Sequence, residues 1–359
     1  MSIKKYILQH CPEKLLSVIA MPYRFMRWRK ISRLALKYLP QYQDKLSREI
    51  LSDRLEYLRT HDVNIFLDRA EKTGMKFYSL PRSITDTYSG IVVLYDNKGQ
   101  IFRFTQKLLS SCEWSDKFRL MTLKEFLGGA EISSSELVVL VLTLKGRRKF
   151  NNSPRSRSLH VYDDLLLAMR EDLQYFDVFS PRDDEVLIDA GAYDGATAIQ
   201  FLEWGRGRVK HVYSFEFDPE NAAKCEEKLK PYADKVTVVS KGTWDKDEVV
   251  RVNLTGNAGS SVGRAGDTAA YLTSIDNVVK DERVTFIKMD VEGAELKSLA
   301  GARNTIIKNH PRLAICVYHK YSDIYEIPGY ILSLVPEYKF YLRHYSSRDW
   351  ETVLYASCE

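Results

Sequence analysis

The chain has 359 residues, of which 45% are hydrophobic, 28% charged and 12% aromatic; this is enough apolar material for two domains, or for one large domain with an extension. This composition excludes a largely disordered chain. The sequence contains no run of about 18 apolar residues, so no membrane-spanning helix is predicted. The net charge of +5 arises at the N-terminus, where residues 1–40 carry nine basic residues and one acidic residue and have a charge of +8. The rest of the chain has a charge of −3, so a nucleic-acid groove across the protein is not predicted.

The cysteines are widely spaced and odd in number, which argues against both a disulfide framework and a cysteine metal site. They are Cys11, Cys112, Cys225, Cys316 and Cys358. The N-terminus has basic residues but no apolar core followed by a small-residue cleavage site, so it does not resemble a signal peptide. We therefore expect a cytoplasmic protein.

Residues 1–60 form a basic segment with apolar residues at helical spacing, interrupted by Pro12, Pro22 and Pro40. We favour a helix docked on its own domain or on a second copy of the chain. The alternative is a helix that lies on an anionic membrane surface through Phe25 and Trp28. Membrane association and homo-oligomerisation are therefore both expectations about this segment.

Residues 61–160 predict a small α/β domain. Residues 90–95 and 137–142 are short apolar runs typical of buried strands, and a helical pattern covers 102–109. A nucleotide-binding turn at 96–99 needs several glycines, and only Gly99 is present. We interpret this unit as a degenerate Rossmann-like domain without nucleotide, followed by an exposed linker at 147–158 and a helix at 163–177.

Residues 161–359 predict a seven-stranded doubly wound sheet in which one edge strand is reversed. The predicted strands are 186–190, 212–216, 236–240, 286–291, 313–319, 339–343 and 352–356, and the predicted helices are 197–204, 219–229, 294–300 and 324–334. Most strands are separated by helices, and the last two close as a hairpin.

A glycine-containing loop follows the first of these strands and leads into a helix. Glycines allow the backbone to turn sharply and a ligand to approach its N–H groups. Asp189 ends the strand and could bind a ligand ammonium group, directly or through water. The loop residues that we assign to ligand contact are Asp189, Gly191, Tyr193, Asp194, Gly195 and Thr197. A tight turn without ligand has the same pattern.

Acidic residues end two further strands. Glu216, followed by Phe217, ends the second strand, where a carboxylate can accept hydrogen bonds from both ribose hydroxyls of an adenosine ligand. Asp290 and Glu292 follow a later strand, and ligands of open α/β sheets bind outside the carboxyl ends of the strands. The alternative is that Glu216, Glu292 and Glu295 only complement helix N-termini.

Together these segments resemble the FkbM family of S-adenosylmethionine-dependent methyltransferases. The matching stretches are DAGAYDG (189–195), YSFEFDP (213–219), TSID (273–276), FIKMDVEGAELKSLAGA (286–302) and VLYA (353–356). The resemblance covers roughly 165–357, and the EDLQYF segment (171–176) resembles the lead-in of one subgroup. It implies a class I methyltransferase sheet, S-adenosylmethionine as cofactor, and the residues above as its contacts.

The resemblance also implies O-methylation, in which a substrate hydroxyl attacks the sulfonium methyl group. The enzyme then mainly aligns the reacting atoms, and a base accepts the hydroxyl proton. We assign catalysis to His319, Asp290 and Glu292. A histidine at a strand end beside two acids is a suitable base, because its pKa lies near working pH. His344 is a weaker candidate base. We expect no metal, although Asp290, Glu292 and His319 are possible ligands by type.

The resulting hypothesis is an O-methyltransferase acting on a carbohydrate or glycan hydroxyl, with no nucleic-acid partner. One alternative is an NAD-dependent oxidoreductase, which predicts a Gly-x-Gly-x-x-Gly turn that 191–195 lacks. A second alternative is a non-catalytic binding or scaffold protein that keeps the fold, which predicts loss of the acids that this chain retains.

Overall fold

The computed structural model describes residues 26–60, 64–72, 89–95, 118–141, 149–150, 152–162, 174–252, 268–346 and 349–359. The helices with described bounds are α1 (helical residues 26–35), α2 (Lys45–Thr60), α3 (Asn64–Lys72), α4 (Leu123–Leu127), α5 (Ala196–Gly205), α6 (Pro219–Leu229), α7 (Ile275–Val279), α8 (Glu295–Gly301), α9 (Arg303–Asn309) and α10 (Asp323–Leu334). Shorter 3-10 turns lie at Leu36–Gln41, Pro154–Ser158 and Lys230–Tyr232.

The strands are β1 (Gly90–Tyr95), β2 (Phe118–Thr122), β3 (Glu136–Val141), β4 (His160–Tyr162), β5 (Glu185–Ala190), β6 (Val209–Phe215), β7 (Val236–Val239), β8 (Gly242–Thr243), β9 (Glu248–Val252), β10 (Thr268–Thr273), β11 (Phe286–Met289), β12 (Arg312–Cys316), β13 (Lys339–His344) and β14 (Thr352–Ser357). The chain divides into two compact units, one comprising 1–59, 173–344 and 350–359, and the other 60–172 and 345–349.

The second unit contains a four-stranded parallel sheet in the order β2-β1-β3-β4. The predicted strands at 90–95 and 137–142 are therefore confirmed as β1 and β3. The predicted helix at 102–109 and the turn at 96–99 lie outside the described residues, as does most of the predicted helix at 163–177. The absence of a nucleotide from this unit stays a prediction.

Among its described residues, the predicted linker at 147–158 is exposed or half-buried as expected, except at Phe150. Phe150 is 2% exposed and packs in the core of the parallel sheet with Phe126. Arg155 donates from Nη2 to the carbonyl oxygen of Ala130 at 2.7 Å and from Nη1 to that of Phe126. One aromatic side chain and one guanidinium therefore anchor a segment whose composition is otherwise that of a loop.

The first unit contains a seven-stranded sheet in the order β13-β14-β12-β11-β5-β6-β7. All seven strands were predicted. Central strands β5, β11 and β12 are buried along their whole lengths, as expected for parallel strands covered on both faces. The reversed strand is not at the edge as we predicted, because β14 lies between β12 and β13 and is antiparallel to both.

Several features of this unit were not predicted, including the short helices α7 and α9. A three-stranded sheet in the order β8-β10-β9 includes β10, which pairs in parallel with the two-residue strand β8 and antiparallel with β9. The end of the predicted helix at 163–177 is a turn, because residues 174–176 are not helical and Tyr175 has a φ of +75°.

The N-terminal helices pack against β13, the outermost strand of the seven-stranded sheet. Gln43 N donates to the carbonyl oxygen of Phe340 at 2.9 Å, and Tyr42 forms an isolated bridge with Phe340. Ser47 Oγ accepts the Leu342 N–H at 2.8 Å. Residues 26–59 are thus docked on their own domain. Membrane contact through the rest of this segment stays a prediction, and among the described residues no helix combines the length and apolar character needed to cross a bilayer.

Candidate active site

The loop between β5 and α5 joins the predicted cofactor segments. Gly191 has a φ of +79°, and a Cβ atom on it would lie 1.9 Å from the carbonyl oxygen of Asp290. The Gly191 and Ala192 N–H groups donate to the carbonyl oxygen of Phe215 at 3.1 and 3.0 Å. The loop therefore touches the ends of both β6 and β11, and this close approach requires glycine at position 191.

The start of α5 contains three of the residues that we assigned to ligand contact, Asp194, Gly195 and Thr197. Gly195 is the N-cap residue, with a φ of +82°, and Thr197 is the second residue of the helix. Asp194 accepts the Ala196 N–H at 3.1 Å and is 2.8 Å from Lys228 Nζ. Burial would raise the pKa of Asp194, but the contacts with Lys228 and Ala196 outweigh it and lower this pKa. The carboxylate therefore stays ionised at the helix N-terminus.

Asp189 lies below the loop surface and is fully buried. Its Oδ1 is 2.9 Å from Lys288 Nζ, and Lys288 also donates to the Gly191 carbonyl oxygen at 2.7 Å. Burial would lower the pKa of Lys288, but the Asp189 and Asp290 carboxylates raise it above its usual value, so the ammonium stays charged. In this structure Asp189 thus holds a lysine that supports the loop, and its contact with a cofactor stays a prediction.

Glu216 links the glycine loop to the loop that follows β6. Its two carboxylate oxygens accept the backbone N–H groups of Tyr193 and Asp218, each at 2.9 Å. Burial raises the pKa of Glu216. Each oxygen retains capacity for a further donor, as two ribose hydroxyls require. Of the neighbouring predicted contacts, Tyr193 is 42% exposed and Phe217 is half-buried beside Gly242.

Asp290, at the end of β11, is held by two tyrosines. Tyr175 OH donates to its Oδ2 at 3.1 Å, and Tyr318 OH donates to its Oδ1 at 3.2 Å. Tyr318 OH is also 3.4 Å from Glu351 Oε1. Burial raises the pKa of Glu351 to about 7, and the charge of Asp290 contributes. Neither tyrosine was among the predicted site residues, nor was Glu351, although Tyr175 lies in the EDLQYF lead-in segment.

His319 follows β12 and lies among three acids. Its Nδ1–H donates to Glu295 Oε1 at 2.8 Å. Its Nε2 is 3.4 Å from Asp290 Oδ1 and 3.6 Å from Glu292 Oε2. The three predicted catalytic residues are therefore brought together, and Glu295, predicted only to complement a helix N-terminus, is part of the same cluster. His344, the weaker candidate base, instead bonds Thr352 Oγ1 at 2.9 Å.

The protonation of His319 differs from the prediction. Burial would lower its pKa, but the hydrogen bond to Glu295 outweighs burial. The charges of Asp290 and Glu292 add to this effect, and together they raise the pKa of His319 to about 9. An imidazole with that pKa is protonated at neutral pH and cannot accept a proton there, so the argument that its pKa lies near working pH was wrong.

Glu292 is the acid of this cluster that solvent reaches best. Its side chain is 34% exposed, against 23% for Asp290 and 0% for Glu295. Burial raises the pKa of Glu292 to about 6, so it is ionised at pH 7 while remaining a stronger base than an ordinary carboxylate. Its backbone adopts a φ of +52°. Its accessibility and its deprotonated state at pH 7 thus both favour Glu292 over His319 as the proton acceptor.

The part of the chain that carries this constellation is similar to known methyltransferases. Residues 189–347 match the family model described as the Methyltransferase FkbM domain. This segment is therefore similar to methyltransferase domains of the FkbM type.

One curated relative is the 2-O-methyltransferase NoeI of Sinorhizobium fredii (strain NBRC 101917 / NGR234), which is 26% identical over 187 residues, with 44% of this chain and 73% of that protein covered. A crystal structure of the methyltransferase FkbM from Methylobacillus flagellatus KT is 20% identical, has a TM-score of 0.48 and covers 82% of this chain and 98% of that one. Fibrillarin from Aeropyrum pernix, with natively bound S-adenosyl-L-methionine, is 13% identical, has a TM-score of 0.32 and covers 49% of this chain and 67% of that one.

Proposed function

We propose that the protein is an S-adenosylmethionine-dependent O-methyltransferase that acts on a carbohydrate or glycan hydroxyl. The observation that carries this proposal is the meeting of three strand ends at one point of the sheet. The loop after β5 contacts Asp290 through Gly191 and Glu216 through Tyr193. Strands β5 and β11 are neighbours from which the chain winds in opposite directions, which is where doubly wound sheets bind ligands.

The residues at this point fit the cofactor. Glu216 keeps acceptor capacity for two hydroxyls, as the ribose of an adenosine requires. Asp290 supplies a partly exposed carboxylate beside the glycine loop, which suits the cationic methionine end of the molecule. When bound, S-adenosylmethionine supplies an electrophilic methyl group on a sulfonium. The remaining task of the protein is to align the acceptor hydroxyl and to take its proton.

Glu292 is the residue that we assign to this proton. The acceptor oxygen forms the bond to the methyl carbon as the carbon–sulfur bond breaks, and the hydroxyl proton passes to the Glu292 carboxylate. His319 and Asp290 position this acid, because His319 Nε2 lies 3.6 Å from Glu292 and 3.4 Å from Asp290. The relative named 2-O-methyltransferase supports a hydroxyl acceptor. The carbohydrate class follows from the family resemblance.

Calorimetry tests the cofactor. We expect S-adenosylmethionine to bind and NAD not to bind, and we expect Glu216→Gln to weaken S-adenosylmethionine binding about tenfold, since an amide cannot accept from two N–H groups and two hydroxyls. Glu248→Gln is the matched control, because this glutamate lies in β9 and pairs only with exposed Lys246 at 3.5 Å among the contacts described. NAD binding without S-adenosylmethionine binding would support the oxidoreductase alternative instead.

Methyl transfer tests the reaction. Radiolabelled S-adenosylmethionine is incubated with the protein and with glycan-containing extracts, and the labelled product is identified. We expect label in an alkali-stable methyl ether of a carbohydrate. Glu292→Gln should lower kcat by about 10²-fold or more and leave cofactor affinity close to wild type. Label in a protein or in RNA would contradict the acceptor class, and an unchanged kcat would remove Glu292 from its role.

A further inference from the structure

The His319 side chain is only 9% exposed, and its Nε2 atom is buried without a hydrogen-bond partner among the described residues. The nearest carboxylate oxygens are Asp290 Oδ1 at 3.4 Å and Glu292 Oε2 at 3.6 Å. Both distances exceed the roughly 2.7–3.2 Å of an N–H···O hydrogen bond. They lie close to the separation of neighbouring ligands around a metal ion, since bonds of about 2.1 Å place such atoms ~3.0 Å apart in octahedral geometry and ~3.4 Å apart in tetrahedral geometry.

The other nitrogen of this imidazole is held as in metal-binding histidines. Metal-bound histidines commonly donate their second ring N–H to a carboxylate, which fixes the ring and directs the other nitrogen at the ion. Here His319 Nδ1–H donates to Glu295 Oε1 at 2.8 Å. Glu295 is fully buried, and the Val291 and Gly293 N–H groups donate to it at 3.2 and 3.3 Å. The ring is therefore oriented by a fixed acid, with Nε2 turned towards the two others.

We propose that Asp290, Glu292 and His319 bind one divalent first-row transition-metal ion through Oδ1, Oε2 and Nε2, and that Glu295 orients the imidazole. A donor set of two carboxylate oxygens and one imidazole nitrogen suits Mn²⁺ in particular, because carboxylates favour hard ions and imidazole favours transition metals. This proposal revises our expectation that the protein uses no metal.

The chemical role of the ion rests on the proposed function, although the binding site itself does not. An ion at this place would bind the acceptor oxygen and lower the pKa of its hydroxyl. Glu292 would hold the ion through one oxygen and accept the proton on the other. The alternative for the same cluster is an imidazolium that forms ion pairs with the three acids and binds no metal.

Electron paramagnetic resonance distinguishes the two. Untagged, full-length protein is stripped with EDTA, transferred to chelator-free buffer and titrated with MnCl₂, and free Mn²⁺ is measured by its signal. We expect about one Mn²⁺ per chain, and we expect His319→Gln and Glu292→Gln each to weaken its binding at least about tenfold. The matched controls are His211→Gln, whose ring bonds Thr237 Oγ1 at 2.8 Å, and Glu248→Gln; both should bind as wild type does.

Absence of Mn²⁺ binding by wild type, or equal binding by wild type and Glu292→Gln, would overturn the proposal. Glu292 is 34% exposed, so this variant should retain the fold even if His319→Gln does not, which melting curves establish. The result is independent of methyl transfer. Mn²⁺ binding without any transfer would contradict only the proposed function, and full transfer in EDTA without Mn²⁺ binding would contradict only the metal site.

Discussion

Two buried cations lie at opposite ends of the central strands, each against a carboxylate. Lys288 and Arg312 are both 2% exposed. Lys288 pairs with Asp189 near the end of β5, whereas Arg312 pairs with Glu185 at the start of that strand. Removing one member of such a pair leaves an uncompensated charge in a medium of low polarity, which costs far more than the net contribution of the intact pair.

We expect Lys288→Met to lower the free energy of unfolding by about 3–5 kcal/mol and to weaken S-adenosylmethionine binding, because the Gly191 carbonyl oxygen loses its donor. Arg312→Met is the control. It should destabilise the protein by a similar amount while leaving cofactor affinity unchanged, since Arg312 pairs with Glu185 at the start of β5, away from the glycine loop. Urea denaturation and calorimetry measure the two effects, and equal cofactor affinities in both variants would refute a positioning role for Lys288.

The buried carboxyl group of Asp323 should make the free energy of unfolding depend on pH. It is 2% exposed, and burial raises its pKa to about 7 from its ordinary value of 3.8. Folding therefore takes up a proton between these values, and this group lowers stability as pH rises from about 4 to 7. Asp323→Asn should gain stability relative to wild type over this range by a few kcal/mol at most. Melting curves at pH 5 and pH 8 measure this, and a pH-independent difference would contradict the assignment.

At the scale of elements, the glycine loop depends on a close approach between the backbones of Gly191 and Asp290, which leaves no room for a side chain at position 191. Gly191 and Gly207 both have positive φ, +79° and +85°. A Cβ atom on Gly191 would lie 1.9 Å from the Asp290 carbonyl oxygen, whereas one on Gly207 would have no atom within 4 Å. The two positions separate the conformational cost of a side chain from its steric cost.

Gly207→Ala should therefore cost only about 1–2 kcal/mol, the penalty of a left-handed backbone. Gly191→Ala should cost several kcal/mol more and abolish S-adenosylmethionine binding, because the loop must move away from β11 to admit the methyl group. Thermal unfolding with and without cofactor compares the pair. Similar losses of stability in the two variants would mean that the loop can move away from β11 at little cost in free energy. Its close approach to Asp290 would then not determine cofactor binding.

At the scale of the whole chain, the N-terminal helices cover the exposed edge of the main sheet. Ser47 is fully buried, and its Oγ accepts the Leu342 N–H at 2.8 Å and a donor from Arg343 at 3.1 Å. Asp44 Oδ2 lies 2.7 Å from Arg343 Nη2. Side-chain and backbone groups of α2 and its lead-in thus occupy hydrogen-bonding positions that an edge strand otherwise presents to other molecules.

Ser47→Ala should lower the free energy of unfolding by about 1–3 kcal/mol, because the Leu342 N–H stays buried without its acceptor. Ser333→Ala serves as control, since this exposed serine donates only to the carbonyl oxygen of Tyr330 one turn earlier. It should change stability by less than about 0.5 kcal/mol. Chemical denaturation of both variants checks this, and equal stabilities would mean that the Leu342 N–H reaches water.

Periodicity predicted the seven strands of the first unit, because buried parallel strands are continuous apolar runs, and it predicted helices α5, α6, α8 and α10 but not the short helices α7 and α9. It could not predict the reversed position of β14, which depends on strand pairing, or the two-residue strand β8, which is too short for a pattern. The strand ends located Asp290, Glu292 and His319. Glu295 was interpreted only as a helix-terminal acid, since its bond to His319 spans 24 positions and arises from tertiary packing.

Lys288 was also missed, although a lysine inside the apolar run of β11 was a visible signal. A charge at such a position requires a buried partner, and the acid at the end of the neighbouring strand is that partner. The pKa of His319 was beyond sequence reasoning for a different reason. It depends on the sum of three carboxylate charges and on burial, which only the assembled site determines.

The contact between Ser47 and Leu342 joins residues 295 positions apart. During synthesis the N-terminal helices therefore leave the ribosome long before β13 exists, and their apolar faces have no final partner in that interval. Such long-range pairing slows folding and prolongs exposure of surfaces that associate with other chains. We therefore expect nascent chains of this protein to expose these apolar faces until almost all of the sheet has been made.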